Sequence, residues 1–163
     1  MVAAAGCAMY RRILVAIDAT PTEENRSALT RTEQIGRLTG ATVHILHVAR
    51  GHVVTGDIIG GAGLGVPAAV EDVEDADRQA VQALVDRLAA AGIDAHGEMV
   101  SEAEHDVATL ILQRARELDV DLLILGHQHH RGAGRLFHSS VAEQVIRQHP
   151  PISILLARPP TAG

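Results

Sequence analysis

Two places in this chain combine residues able to hold a polar ligand. Asp18 directly follows the apolar run Ile13-Leu14-Val15-Ala16-Ile17. The segment Gly126-His127-Gln128-His129-His130-Arg131-Gly132-Ala133-Gly134-Arg135-Leu136-Phe137-His138-Ser139-Ser140 follows a second apolar run, Leu122-Leu123-Ile124-Leu125. A carboxylate can accept hydrogen bonds from a base or a sugar. Glycines permit positive φ and let backbone come close to an anion. Arg131 and Arg135 add positive charge, and Ser139 and Ser140 open a helix whose free N–H groups favour phosphate. A glycine-rich loop by itself says little. Set between a buried strand and a capped helix, it points to an anionic ligand.

Each of these residues also has a plainer role. Asp18 suits a turn before a helix, and Ser140 with Glu143 is accounted for as a capping box. His127, His129, His130 and His138 invite a zinc or nickel site, yet no carboxylate follows at a ligand spacing, and solvated loop histidines explain them equally. His44 and His47 fall on opposite faces of a strand by pleat parity, so they make no ligand pair. Gly60-Gly61-Ala62-Gly63-Leu64-Gly65 does not directly join a strand to a helix and reads as a flexible flap, not a dinucleotide loop.

Several chemistries are excluded by composition. All 14 cationic side chains are arginine, so a Walker-type phosphate loop and lysine Schiff-base chemistry are ruled out. The single cysteine, Cys7, permits neither an intrachain disulfide nor a multi-thiolate metal centre. A net charge of −6 without a basic stripe argues against nucleic acid as a partner. No apolar run approaches the roughly 18 residues of a membrane helix. Residues 1–8 lack a basic n-region, so the cytoplasm is the expected compartment. No nucleophile elbow, Ser-His-Asp order or paired-carboxylate spacing emerges.

The elements that must position these residues follow from hydrophobic pattern. With 163 residues, 47% of them hydrophobic, the chain suits one domain. Continuous apolar runs at 13–17, 43–48, 122–125 and 152–156 read as strands buried on both faces, and the weak alternation at 94–100 reads as an edge strand. Thr20-Pro21-Thr22-Glu23 reads as a helix start capped by Thr20, with Leu29, Ile35 and Leu38 on its apolar stripe and Gly40 ending it. A long helix is expected over 73–91, burying Val73, Ala76, Ala80, Leu84 and Leu88. Ser101-Glu102-Ala103-Glu104 and Ser140-Val141-Ala142-Glu143 read as further capping boxes, the latter opening a helix to about residue 149. The order β-α-β-α-β-α-β-α-β predicts an open, doubly wound, five-stranded parallel sheet with helices on both faces. The domain is expected over 10–159, between an extension at 1–9 and a tail at 160–163, with a Gly-rich loop at 51–70. In such sheets ligands bind beyond the carboxyl ends of the strands where strand order reverses, which selects Asp18 and the Gly126 loop.

Ile13-Leu14-Val15-Ala16-Ile17-Asp18, Leu46-His47-Val48, Asp121-Leu122-Leu123-Ile124-Leu125-Gly126 and Ser140-Val141-Ala142-Glu143 before a proline turn and an apolar last strand resemble the universal stress protein family from about Tyr10 to the region of Arg158. The resemblance implies a cytoplasmic homodimer paired through the last strand, with ATP or another adenine nucleotide, and Mg, at the crevice between the first and fourth strands. It implies nucleoside contacts from Ala16, Ile17, Asp18 and Val43. Along the loop it implies contacts from Leu125, Gly126, Gln128, His129, Arg131, Ser139, Ser140 and Val141. Nucleotide-binding members resemble one another in G-x-x-G, nine residues, then G-[ST]. Here Gly126 and Ser140 keep the ends, while His129 and Ser139 stand where glycines are expected. A Cβ at those points hinders close backbone approach. Two further readings therefore stand beside nucleotide binding: a dimeric interaction module that recognises a protein partner without nucleotide, and a slow ATPase or His-loop metal hydrolase.

Overall fold

Short runs of Ile, Leu and Val, too apolar to face water on either side, form the centre of one parallel sheet. A computed structural model describes residues 9–17, 22–50, 68–102, 106–126 and 141–159. Its elements are β1 (Arg12–Ile17), α1 (Glu23–Thr39), β2 (Thr42–Arg50), α2 (Ala68–Ala90), β3 (Ala95–Glu102), α3 (Val107–Glu117), β4 (Leu122–Gly126), α4 (Val141–Arg147) and β5 (Ser153–Ala157). All pairings are parallel, in the order β3-β2-β1-β4-β5. The five-stranded doubly wound architecture is the one expected from the run of elements.

Pleat parity divides the core in two. Ile13, Val15 and Ile17 of β1, Val43 and Ile45 of β2, and Leu122 and Ile124 of β4 point to one face, where Ala28 of α1 and Val81 and Leu88 of α2 cover them. Leu14, Leu46, Leu123 and Leu125 point to the other, beneath Ile111, Leu112 and Ala115 of α3 and Ala142 and Val145 of α4. Each fully buried Leu, Ile or Val contributes about 1.5–3 kcal/mol relative to exposure. Gly97 marks a close approach: a Cβ there would lie 2.7 Å from Val81 Cγ1 and 2.8 Å from Val85 Cγ2.

Helix starts depart from the sequence reading in three places. The cap of α1 is Thr22, not Thr20, because Thr22 Oγ1 accepts from the Asn25 amide at 3.2 Å. Ser101 and Glu102 are no capping box: they extend β3, in register with Ala49 and Arg50. The cap position of α3 is Asp106, whose carboxylate accepts from the Thr109 hydroxyl at 3.4 Å and makes no bond to a backbone amide. Helix α2 begins at Ala68, within the stretch read as loop, and buries Val81 and Leu88 with Leu84 and Val85 beside them; Ala76 is exposed. Leu38 lies off the apolar stripe of α1, 86% exposed, whereas Leu29 is buried and Gly40 ends the helix at φ 67° as expected. The start of α4 at Val141 is where a Ser140 cap would set it, and Ser140 itself lies outside the described residues.

The amino end of the sheet is held by side chains. Asp121 accepts from the Arg11 amide at 2.9 Å and the Arg12 amide at 3.1 Å, clasping the start of β1 to β4. Arg12 reaches Asp119 at 2.6 Å, and the Thr42 hydroxyl donates to Asp94 at 3.0 Å. A cleft of about 740 Å³ at this end is lined by Arg11, Arg116, Asp119, Asp121, Pro150 and Pro151 among others. Much of its polar lining is already engaged in that clasp.

Candidate functional site

Strand order reverses between β1 and β4, because the connection from β1 runs to β2 on one side while β4 and β5 lie on the other. Helical connections on either side of a reversal diverge and leave a crevice beyond the carboxyl ends of the two strands. Ala16 lies opposite Leu125 in the β1–β4 register, and Ile17 lies opposite His47 in the β1–β2 register. The structure therefore brings Ala16, Ile17, Leu125 and Gly126 together at one end of the sheet. Val141, at the first turn of α4, packs against the same apolar cluster as Ala16 and Leu125. Asp18, Gln128, His129, Arg131, Ser139 and Ser140 lie outside the described residues, as do His127, His130 and His138.

Val43 does not join this group. It is fully buried, on the α1/α2 face, in register with Ile13 at the amino end of β1. A side chain at that end of β2 has no route to a ligand beyond the carboxyl ends. Val48 lies nearer the carboxyl end of β2. It is five residues further along β2, partly buried, and packs in the same cluster as Ala16 and Leu125. The signal was present in Leu46-His47-Val48, since a residue late in a strand, not its first, lies toward the carboxyl end.

Among the described residues, one polar side chain is buried in this region. His47 is only 3% exposed. Its Nδ1 lies 3.2 Å from the Ile17 carbonyl oxygen and its Nε2 lies 3.2 Å from Asp77 Oδ2 on α2. A carbonyl oxygen can only accept, so Nδ1 is the donor there. His47 thus ties the last residue of β1 to a helix on the sheet's α1/α2 face. In the sequence His47 stands out as part of the Leu46-His47-Val48 motif and as a residue excluded from metal ligation; its partners, 30 residues away on either side, carry no local signal.

His44 and His96 stack at the other end of β2, with ring centroids 5.3 Å apart and planes inclined by 24°. Burial, and next the nearby His96, hold the His44 pKa below its ordinary value of 6.5. Among the described residues, no cluster of three or more His, Cys, Asp or Glu side chains could hold a metal ion. No helix among them is long and apolar enough to cross a membrane.

A family model described as "Universal stress protein family" matches residues 9–158. The chain belongs to the universal stress protein family. No curated protein sequence matches it significantly. Solved structures of universal stress proteins share its fold at low identity. One from Burkholderia pseudomallei is 22% identical with a TM-score of 0.68, over 93% of this chain and 98% of that one. A universal stress protein in complex with cAMP is 22% identical with a TM-score of 0.63, again over 93% and 98%. One from Archaeoglobus fulgidus in complex with dAMP is 17% identical with a TM-score of 0.60, over 91% and 98%. Two of these family members thus carry adenine nucleotides.

Proposed function

We propose that this universal stress protein binds an adenine nucleotide in the crevice between β1 and β4 and acts as a ligand-dependent regulatory module, without turnover as its purpose. The observation that carries the reading is the reversal of strand order at the carboxyl ends of β1 and β4, with an apolar floor of Ala16, Val48 and Leu125 beneath it. Structures of the same fold in complex with cAMP and dAMP support the ligand class. In this reading Val48 packs against the adenine ring, Asp18 accepts a hydrogen bond from the nucleoside, and the chain from Gly126 to Val141 follows the phosphates. Mg accompanies a triphosphate by neutralising its charge, a role that a segment with arginine as its only cation shares.

The active assembly is a homodimer through β5. Among the described residues that strand is an edge, bonded to β4 alone, and its residues Ile154, Leu155 and Leu156 are only partly buried. An apolar free edge is an invitation to pair. The opposite edge, β3, carries His96 and Glu98, with Glu98 held by Arg114 of α3, and so repels a second strand.

The second reading, a dimeric module that recognises a protein without nucleotide, rests on His129 and Ser139 at positions where glycines are expected. Calorimetric titration with ATP and Mg²⁺, AMP and cyclic AMP separates the two. Saturable heat at one site per chain is expected, and the tightest ligand names the signal. Absence of heat from folded protein overturns nucleotide binding and leaves the interaction module.

A further inference from the structure

We propose that His47 is a positioning residue for the crevice, holding the last peptide of β1 in place by its bond to the Ile17 carbonyl and anchoring that peptide to α2 through Asp77. The inference rests on the crevice reading and adds to it a residue that touches no ligand. Position 47 follows the pattern of Val43 and Ile45, both core residues on the same face of β2, and an aliphatic side chain would satisfy that pattern. A buried imidazole costs free energy unless both polar ends are paired. Both are paired here, one to the last carbonyl of β1 and one to a carboxylate on the helix that packs over β2 and β3.

The geometry explains why this peptide needs a holder. A peptide group is one rigid plane, so a hydrogen bond to the Ile17 carbonyl fixes the plane in which β1 ends. Ile17 is the last residue of β1, where the sheet's own ladder stops constraining the chain. A ligand-binding carboxylate one residue beyond is only as well placed as that plane. Misplacement by about 1 Å is enough to weaken a ligand contact severely. Asp77 in turn keeps the ring from turning: its side chain is 25% exposed, so its outer side still meets water while the inner oxygen holds Nε2.

The test compares variants that keep or lose one bond at a time, in the full-length protein. His47→Leu fills the core without polar ends. His47→Asn places a carboxamide nitrogen near the position of Nδ1 and keeps the bond to Ile17. Asp77→Asn can donate to Nε2 of a ring protonated at Nδ1, whereas Asp77→Ala cannot. By calorimetry with ATP and Mg²⁺, His47→Leu is expected to raise Kd about tenfold and His47→Asn to return it to within about threefold of the parent. Asp77→Asn is expected to bind more tightly than Asp77→Ala. Equal affinities for the Leu and Asn variants, whether both weak or both like the parent, overturn the proposal. If the parent itself gives no saturable heat, the crevice reading fails. The Asp18 amide resonance then decides the positioning role. Its displacement in His47→Leu and return in His47→Asn support the role, and an unchanged resonance in both overturns it. A thermal melt of each variant identifies any that fails to fold; in that case Asp77→Ala against Asp77→Asn carries the same comparison.

Discussion

The two ends of the sheet are built to opposite purposes. At the amino end, Asp121 clasps the amides of Arg11 and Arg12, Asp119 pairs with Arg12, and Asp94 accepts from Thr42. These bonds join neighbouring strands where the ladders begin, and they consume polar groups in pairs. At the carboxyl end, the described side chains are mainly apolar, Ala16, Val48 and Leu125, with one buried histidine behind them. An end that is stitched contributes to stability, while an apolar end at a reversal of strand order is where the proposed ligand would sit. On the proposed function, the difference teaches that stability and binding are divided in this fold by strand end and not by layer.

That separation can be broken by substitution. The largest effect is expected from Asp18→Ala, which should abolish nucleotide binding in calorimetry while leaving the urea midpoint unchanged; retained affinity would remove Asp18 from the site. Asp121→Ala should do the reverse. Loss of two charge-assisted bonds to backbone amides should cost about 2 kcal/mol in urea denaturation, with nucleotide affinity untouched. A fall in affinity as large as the fall in stability would show the ends to be coupled. Gly97→Ala touches neither end. Its methyl would press on Val81 and Val85, and about 1–2 kcal/mol of stability should be lost without change in binding.

The smallest effect is electrostatic. The His44 pKa is depressed in the folded chain by burial and by His96, so the unfolded chain takes up that proton first as the pH falls. The contribution of His44 to stability is therefore complete above its ordinary pKa of 6.5 and is lost progressively as the pH drops through the lowered folded value. Urea midpoints measured across that range should decline with acid in the parent and decline less in His44→Gln. An unchanged slope would assign the acid sensitivity to other groups.

How legible this was in the sequence varies with the range of the interactions. The buried strands could be placed because β1 and β4 are continuous apolar runs, a signal that depends only on neighbours. The order of elements then implied the crevice and with it Asp18 and the segment from Gly126, while Ala16, Ile17 and Leu125 came from the family resemblance. Helix starts were harder, because capping-box letters recur where no helix begins. Ser101 and Glu102 satisfy the pattern, yet pairing with Ala49 and Arg50 keeps them in β3. Thr20 and Thr22 are both competent caps, and only the bond to Asn25 distinguishes them. Val43 was implied as a nucleoside contact by the resemblance alone, yet its register with Ile13 sets it at the amino end of β2, because distance along the strand decides which end a residue reaches. The pairing of His47 with Ile17 and Asp77 had no trace in any local pattern, since it exists only after β1, β2 and α2 have assembled.

Tyr10 packs beside the core at the start of β1, and it is the only tyrosine in a chain that has no tryptophan. The intrinsic ultraviolet emission of the protein therefore reports on the stitched end, about the length of a strand away from the crevice. A nucleotide's own absorption would stand almost alone against so faint a background. Any change in tyrosine emission on adding ligand would have to travel along β1 from one end to the other. The molecule thus comes with a built-in optical probe of whether its two ends communicate.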